Sequence, residues 1–351
     1  MKLLNTVNKL IFFLRGKEKV DENSLGKVLV VSSTGFGDTL LSTPAIKSLR
    51  KSFSKNKIIF LVNKKFQPLF INYKYVDDIW KYSGSYFNLF HIIFLCRKEK
   101  IDTIFLFHSN GPEDVFISLL SGARNILKWT DNKKHDYKSL FLNSANNKIQ
   151  HHIEKKIDLV RFFKPKVIDT TMRISEIFHQ KKGLGYQSKN KKVIGIQLGA
   201  QDVYKVWPVE NVIELSKKLI KKNYFLVFFG ATKFESKMMH MIERSIDFDN
   251  AINLNCKTTI EQIPNRIKGL DLLISNDTGI LHLAITLKVK SLGLYSPTSN
   301  EEFGAYQDKD LHFSIQKDGS FVNNKPKKQR NQDGMKLIKV NEVMSLVEGI
   351  V

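Results

Sequence analysis

The strongest constraint on this chain is a rhythm that occurs twice, in which short, largely apolar runs alternate with helix-length segments. In the first half the runs are residues 28–32 (VLVVS), 57–63 and 102–107 (DTIFLF). In the second half they are residues 193–198, 225–229, 272–275 and 291–295. A strand that is apolar on both faces must be covered on both, which is the condition of a parallel sheet inside an α/β domain. Residues 44–53, 66 onward, 209–222, 234 onward and 281 onward carry the spacing of the covering helices. The expected fold class is therefore α/β, with two doubly wound domains facing each other across a cleft. A length of 351 residues is enough for two such cores. Residues 181–192 (KKGLGYQSKNKK) lack apolar periodicity and read as the linker. The domains are expected at residues 1–180 and 193–335. Residues 336–351 then form a C-terminal helix (amphipathic over 341–350) that can pack back on the first domain.

Lys and Arg number 56 against 34 Asp and Glu, so polyanions are the partners that charge favours: a phosphorylated substrate, an anionic membrane surface or nucleic acid. A codon bias toward Lys, Asn, Ile and Phe is the competing source of that charge. No strand interleaves aromatic residues with Lys and Arg, so nucleic acid is not expected. Cys96 and Cys256 stand far apart without a partner motif, which suits a reducing compartment and gives neither a disulfide framework nor a zinc site. No run reaches the roughly 20 apolar residues of a membrane span, and no cleavage site follows the apolar run 10–14. A cytoplasmic location is expected. The first segment puts Leu3, Leu4, Val7, Leu10, Ile11 and Leu14 on one helical stripe edged by Lys2, Lys9, Arg15 and Lys17. Such a basic amphipathic helix either packs on its own domain or lies on a membrane surface. Residues 317–339 turn polar and basic and read as a mobile surface loop.

Three loops carry the chemistry. In SSTGFGDTLLSTPAIKSLR (residues 32–50) a strand ends at Thr34, Gly35 and Gly37, and Asp38 follows. Glycines there let backbone N–H groups approach a ligand, yet no Gly-Lys-Ser/Thr follows, so this is not a phosphate-cradling Walker loop. Asp38 would repel phosphate and suits the role of general base on an acceptor hydroxyl. The alternative is a plain helix cap. In LGAQDVYKVWPVENVIELSKKL (residues 198–219), Lys205 lies just ahead of a helix whose N-terminus would help it hold phosphate. Trp207 reads as a packing anchor. In SNDTGILHLA (residues 275–284), Thr278 and Gly279 offer donors at a helix start, which favours a diphosphate. His282 lies one turn on, and Asp277 either orients a sugar hydroxyl or caps the helix.

Taken in order, GD-x-L-x-x-TP-A-I-x-x-LR (residues 37–50), GA-x-x-x-x-K-x-WP (199–208) and NDTG-x-x-HLA (276–284) resemble the heptosyltransferase family of glycosyltransferases, family nine. Residues 60–80 and 151–163 also follow its patterns, and the resemblance runs from about residue 27 to 307. It implies the GT-B fold of two Rossmann-like domains and a metal-independent, inverting transfer from a nucleotide-sugar, typically ADP-heptose. The implied acceptor is a lipid-linked or core oligosaccharide of lipopolysaccharide, at the inner face of the inner membrane, with no cofactor. By the same resemblance Asp38 is the catalytic base. Lys205, Asp277, Thr278, Gly279, His282, Gly199 and Gln201 bind the donor, and Glu235 of GATKFE (230–235) binds its ribose. Lys156 stands where an arginine is usual.

Two other readings share these residues: a nucleotide-sugar epimerase of the same architecture, and a non-catalytic binder of anionic glycan, which would leave Asp38 without a purpose. Asp247-Phe248-Asp249 spells a metal-binding triplet of another glycosyltransferase fold. It has no His or Glu partner nearby, and His151-His152 point in different directions on a helix; no metal site is expected.

Overall fold

A computed structural model of the chain describes residues 2–15, 21–108, 112–128, 150–188 and 190–351. It divides into two units, Met1–Ser175 and Glu176–Val351. The first runs α1 (Lys2–Arg15), β1 (Val28–Ser32), α2 (Phe36–Ser52), β2 (Ile58–Asn63), β3 (Asp78–Tyr82), α3 (Tyr86–Glu99), β4 (Thr103–His108), α4 (Pro112–Leu120), β5 (Asn125–Lys128) and α5 (His152–Arg161). The second runs α6 (Glu176–Gln180), β6 (Val193–Gln197), α7 (Val209–Lys221), β7 (Phe225–Phe229), α8 (Lys233–Glu243), β8 (Ala251–Asn253), α9 (Ile263–Ile267), β9 (Leu272–Asn276), α10 (Gly279–Thr286), β10 (Ser291–Tyr295), α11 (Asn300–Phe303), β11 (His312–Gln316), α12 (Ser320–Asn323) and α13 (Val340–Ile350).

Each unit is built on one all-parallel sheet, ordered β3-β2-β1-β4-β5 in the first and β11-β10-β9-β6-β7-β8 in the second. The winding therefore reverses between β1 and β4, and again between β6 and β9. Loops leaving those strand pairs diverge, and doubly wound sheets bind ligands in the opening they leave. The central strands are buried on both faces, as their sequences require. In the first unit α2 packs on α5, while α1 and α3 both pack on α4. In the second α7 lies against α8 and α13. Among the described residues no helix is long and apolar enough to cross a membrane.

Several expectations are corrected. Helix α2 begins at Phe36 rather than residue 44, with Pro44 inside it. Proline has no N–H to give the carbonyl of Leu40; the Thr43 hydroxyl donates to that oxygen instead, at 2.7 Å. The helix expected from residue 66 is a single 3-10 turn, Gln67–Phe70, followed by Asn72 in a left-handed conformation that breaks it. Residues 181–192 are no free linker, and the division falls earlier, after Ser175. Leu184 donates its N–H to the Asn265 carbonyl at 2.9 Å, and the Tyr186 hydroxyl donates to that of Arg266 at 2.8 Å. Helix α13 buries Val340, Val343 and Val347 in the second unit's own core, against α7. The basic stretch 317–339 is not a loose loop. Val322 and Met335 are buried, Gln332 donates to the Val206 carbonyl, and the Trp207 indole donates to that of Ile338. Of the two readings of α1, the packed one describes Leu4, Val7 and Ile11, which lie on the unit's core. Asn8 is fully buried and donates to the Pro112 carbonyl.

Candidate active site

In the first unit the β1–α2 loop and the end of β4 meet at the reversal point. Asp38 lies in the first turn of α2 but does not cap it: the cap position is Gly35, with no side-chain cap bond. The carboxylate faces His108 instead, Oδ1 lying 3.2 Å from Nε2. His108 Nδ1 bonds the Thr34 hydroxyl. The strand pairing brings this about. Val31 pairs with Leu106, then the register slips so that Ser32 pairs with His108 rather than Phe107. A one-residue slip turns a side chain to the opposite face. Burial pushes the His108 imidazole toward its neutral form, as do Lys156 and Lys128, against the pull of Asp38. A neutral ring facing a carboxylate carries its proton on Nε2, so Nδ1 accepts from Thr34. Oδ2 of Asp38 lies on the side where residue 35 has no side chain; a Cβ there would stand 2.6 Å from it.

Lys156 joins this cluster from α5. It is buried, donates to the His152 carbonyl at 3.2 Å, and interacts electrostatically with Asp38. Burial pushes its ammonium down to about 8 despite the attraction of Asp38. Burial, together with Lys156, Lys155 and His108, drives His152 far toward the neutral form. His151 caps α5, its Nδ1 accepting the Ile153 N–H at 3.1 Å.

In the second unit the loops after β6 and β9 meet at the matching point. Lys205, in the 3-10 turn Val203–Lys205, donates to Asp277 Oδ2 at 3.3 Å and lies over the Phe303 ring. Asp277 Oδ1 stands 3.7 Å from His282 Nε2. Asp277 thus holds the lysine and does not cap α10. The cap is Thr278, in extended conformation with no side-chain cap bond. The first-turn N–H groups of α10, starting at Gly279, are thus open to an anion beside the Lys205 ammonium. Asn276 ties the two loops together, accepting the Trp207 N–H at 3.0 Å and donating to the Gly199 carbonyl at 3.2 Å.

Glu235 is buried and fully engaged: Oε2 accepts the N–H groups of Ala231 and Thr232, and Oε1 accepts from Gln197. It clamps the 230–235 turn and forms a capping box with Thr232. Gly199 is the counterpart of that clamp, since a Cβ there would meet Glu235 Oε1 at 2.4 Å. Gln201 is exposed on the β6 loop, and Gly37 lies in the first turn of α2. Asp247 caps a 3-10 turn that leads into β8, accepting the Asp249 N–H. Sequence reasoning missed His108. The available signal was a polar residue directly after the apolar run 102–107, at the carboxyl end of a buried strand.

Beside this geometry stand three likenesses. The lipooligosaccharide heptosyltransferase 2 of Campylobacter jejuni is 24% identical over 287 residues, 80% of this chain and 85% of that protein. The glycosyl transferase family 9 structure from Veillonella parvula has a TM-score of 0.73 at 18% identity, over 94% of this chain and 98% of its own. Escherichia coli ADP-heptose lps heptosyltransferase II has a TM-score of 0.70 at 18% identity, over 92% and 98%. The fold is GT-B, two doubly wound α/β units. The family model of glycosyltransferase family 9 (heptosyltransferase) matches residues 116–332, more than half the sequence, including the loops after β6 and β9; the chain belongs to that family of glycosyltransferases.

Proposed function

We propose that this glycosyltransferase moves a heptose from ADP-heptose, with inversion and without a metal, onto a lipopolysaccharide core or related lipid-linked envelope glycan. One observation carries the reading. The carboxylate at the first reversal point is oriented rather than capping, with Oδ1 beside the His108 ring and Oδ2 against Gly35, where a Cβ would clash with it. Asp38 Oδ2 takes the proton of the acceptor hydroxyl as that oxygen bonds to the anomeric carbon. The bond from that carbon to the nucleotide diphosphate breaks on the opposite face, and the electron pair leaves with the diphosphate. Lys205 and the amino end of α10 bind the charge that grows there. Thr278 and Gly279 lie at that end. Asp277 and His282 set the position of the lysine. Gly199, Gln201 and the turn held by Glu235 form the nucleotide side. The names of the relatives, heptosyltransferases of lipooligosaccharide and lipopolysaccharide, support this choice of sugar and acceptor.

The test is a thermal-shift panel of ADP, GDP, UDP and CMP on the wild type and Lys205→Ala. A ligand that binds only the folded state at about 100 times its Kd adds about 2.7 kcal/mol. ADP should give the largest shift, and Lys205→Ala should lose it. A shift with UDP or GDP in place of ADP overturns the donor; no shift with any nucleotide overturns the transferase reading of this site.

A further inference from the structure

Helix α3 turns an aromatic face to solvent. Its inward residues Leu89, Ile92, Ile93 and Cys96 are buried in the core of the first unit. Outward, Tyr86 is 75% exposed, Phe87 92%, Phe90 59% and Phe94 61%. Single exposed apolar residues are ordinary, but phenylalanines at i, i+3 and i+7 form one contiguous stripe. The same face ends in Arg97 and Lys98, both exposed. Arg97 is held in place by a bond from Nε to the Leu120 carbonyl at 2.7 Å. The one acid of the helix, Glu99, turns aside to Lys57 and Lys27. The acids of the neighbouring α4, Glu113 and Asp114, lie in its first turn, Asp114 buried on Ser33.

We infer that this face of α3 docks on an anionic lipid bilayer, its rings entering the boundary between headgroups and acyl chains and Arg97 and Lys98 meeting the lipid charge. Charge complementarity selects this occupant over a second copy of the chain. A twofold pair would set the same cationic face against itself, in a protein of net charge +22. An anionic bilayer satisfies both the aromatic and the cationic end. The inference does not depend on the donor or acceptor assigned above.

The experiment is co-sedimentation of the full chain with phosphatidylcholine vesicles, with and without phosphatidylglycerol. Wild type is compared with Phe87→Ser/Phe94→Ser, with Lys98→Glu, and with Phe87→Trp as a fluorescent reporter. Phe90 is left in place because its ring packs edge-on against Phe116. Wild type should bind the vesicles that contain phosphatidylglycerol and be released by salt. The double variant should bind about 100-fold more weakly with an unchanged melting transition. Lys98→Glu should need less salt for release, and the added tryptophan should shift to the blue on binding. The inference is overturned if wild type ignores anionic vesicles, if the double variant binds as wild type does, or if the bound reporter does not shift. A dimer seen by light scattering and abolished by the double variant, without vesicle binding, would assign the face to a second copy and also reject it.

Discussion

The two reversal points solve opposite electrostatic problems with the same parts. In the first unit the proposed working group is an acid, Asp38, and its supports are basic: His108 beside Oδ1 and the buried ammonium of Lys156. In the second the proposed working group is a cation, Lys205, and its support is the carboxylate of Asp277. The difference lies in where the supports come from. His108 and Lys156 reach Asp38 from two separate elements, β4 and α5, whereas Asp277 and His282 reach the side of Lys205 from one continuous stretch, the end of β9 running into α10. A working acid placed at a helix start also has the helix dipole on its side. It therefore needs orientation more than charge, and the neutral His108 provides that.

The sharpest break of the comparison is Asp38→Asn. Losing the proposed general base should lower kcat by about 1,000-fold, while the ADP-induced thermal shift stays at the wild-type value, because the proposed donor site lies in the other unit. Measuring kcat beside the shift on the same preparation decides it. Loss of the nucleotide shift in this variant would mean that the two centres do not divide the work.

That division also explains what the sequence makes legible. Both sheets could be read, because a parallel strand buried on two faces leaves an uninterrupted apolar run such as FLVFF at 225–229. The loops that follow β1, β6 and β9 could be read from their glycines and charges. What could not be read is tertiary. The register slip that turns His108 toward Asp38 depends on pairing between β1 and β4, which no local pattern encodes. The start of α2 was hidden because Pro44 marks a helix start by default, and the Thr43 hydroxyl that replaces its missing N–H is visible only in three dimensions. Glu235 was legible as a special acid, but not as one whose oxygens are already engaged by the 230–235 turn and Gln197.

A smaller effect separates the two kinds of support. His108→Gln removes the ring that orients Oδ1 while leaving Asp38 in place. It should cost about 10-fold in kcat, with KM for the donor and the ADP shift unchanged. Asp277→Asn, by contrast, should weaken both kcat and the shift, since the same residue holds Lys205, the proposed phosphate ligand. If the two variants lose activity in the same pattern, the supports are not separable.

The smallest expected effect on rate belongs to Lys156, whose signature is in stability. Its ammonium titrates at about 8 in the folded chain, because burial outweighs the attraction of Asp38, against about 10.4 when unfolded. Below pH 8 both states carry the proton, and the folded state bears the whole cost of a buried cation, about 3 kcal/mol. Between pH 8 and about 10.4 the folded state releases the proton first, the unfolded state holds more protons, and stability rises with pH. Lys156→Met removes the titration. The variant should melt at a higher temperature than wild type at pH 7, and the gap should close as the pH rises to 10. A gap that stays constant across that range would show that the ammonium is not the group titrating there. A gap of opposite sign at pH 7 would mean that Asp38 needs its buried cation more than the fold suffers from it.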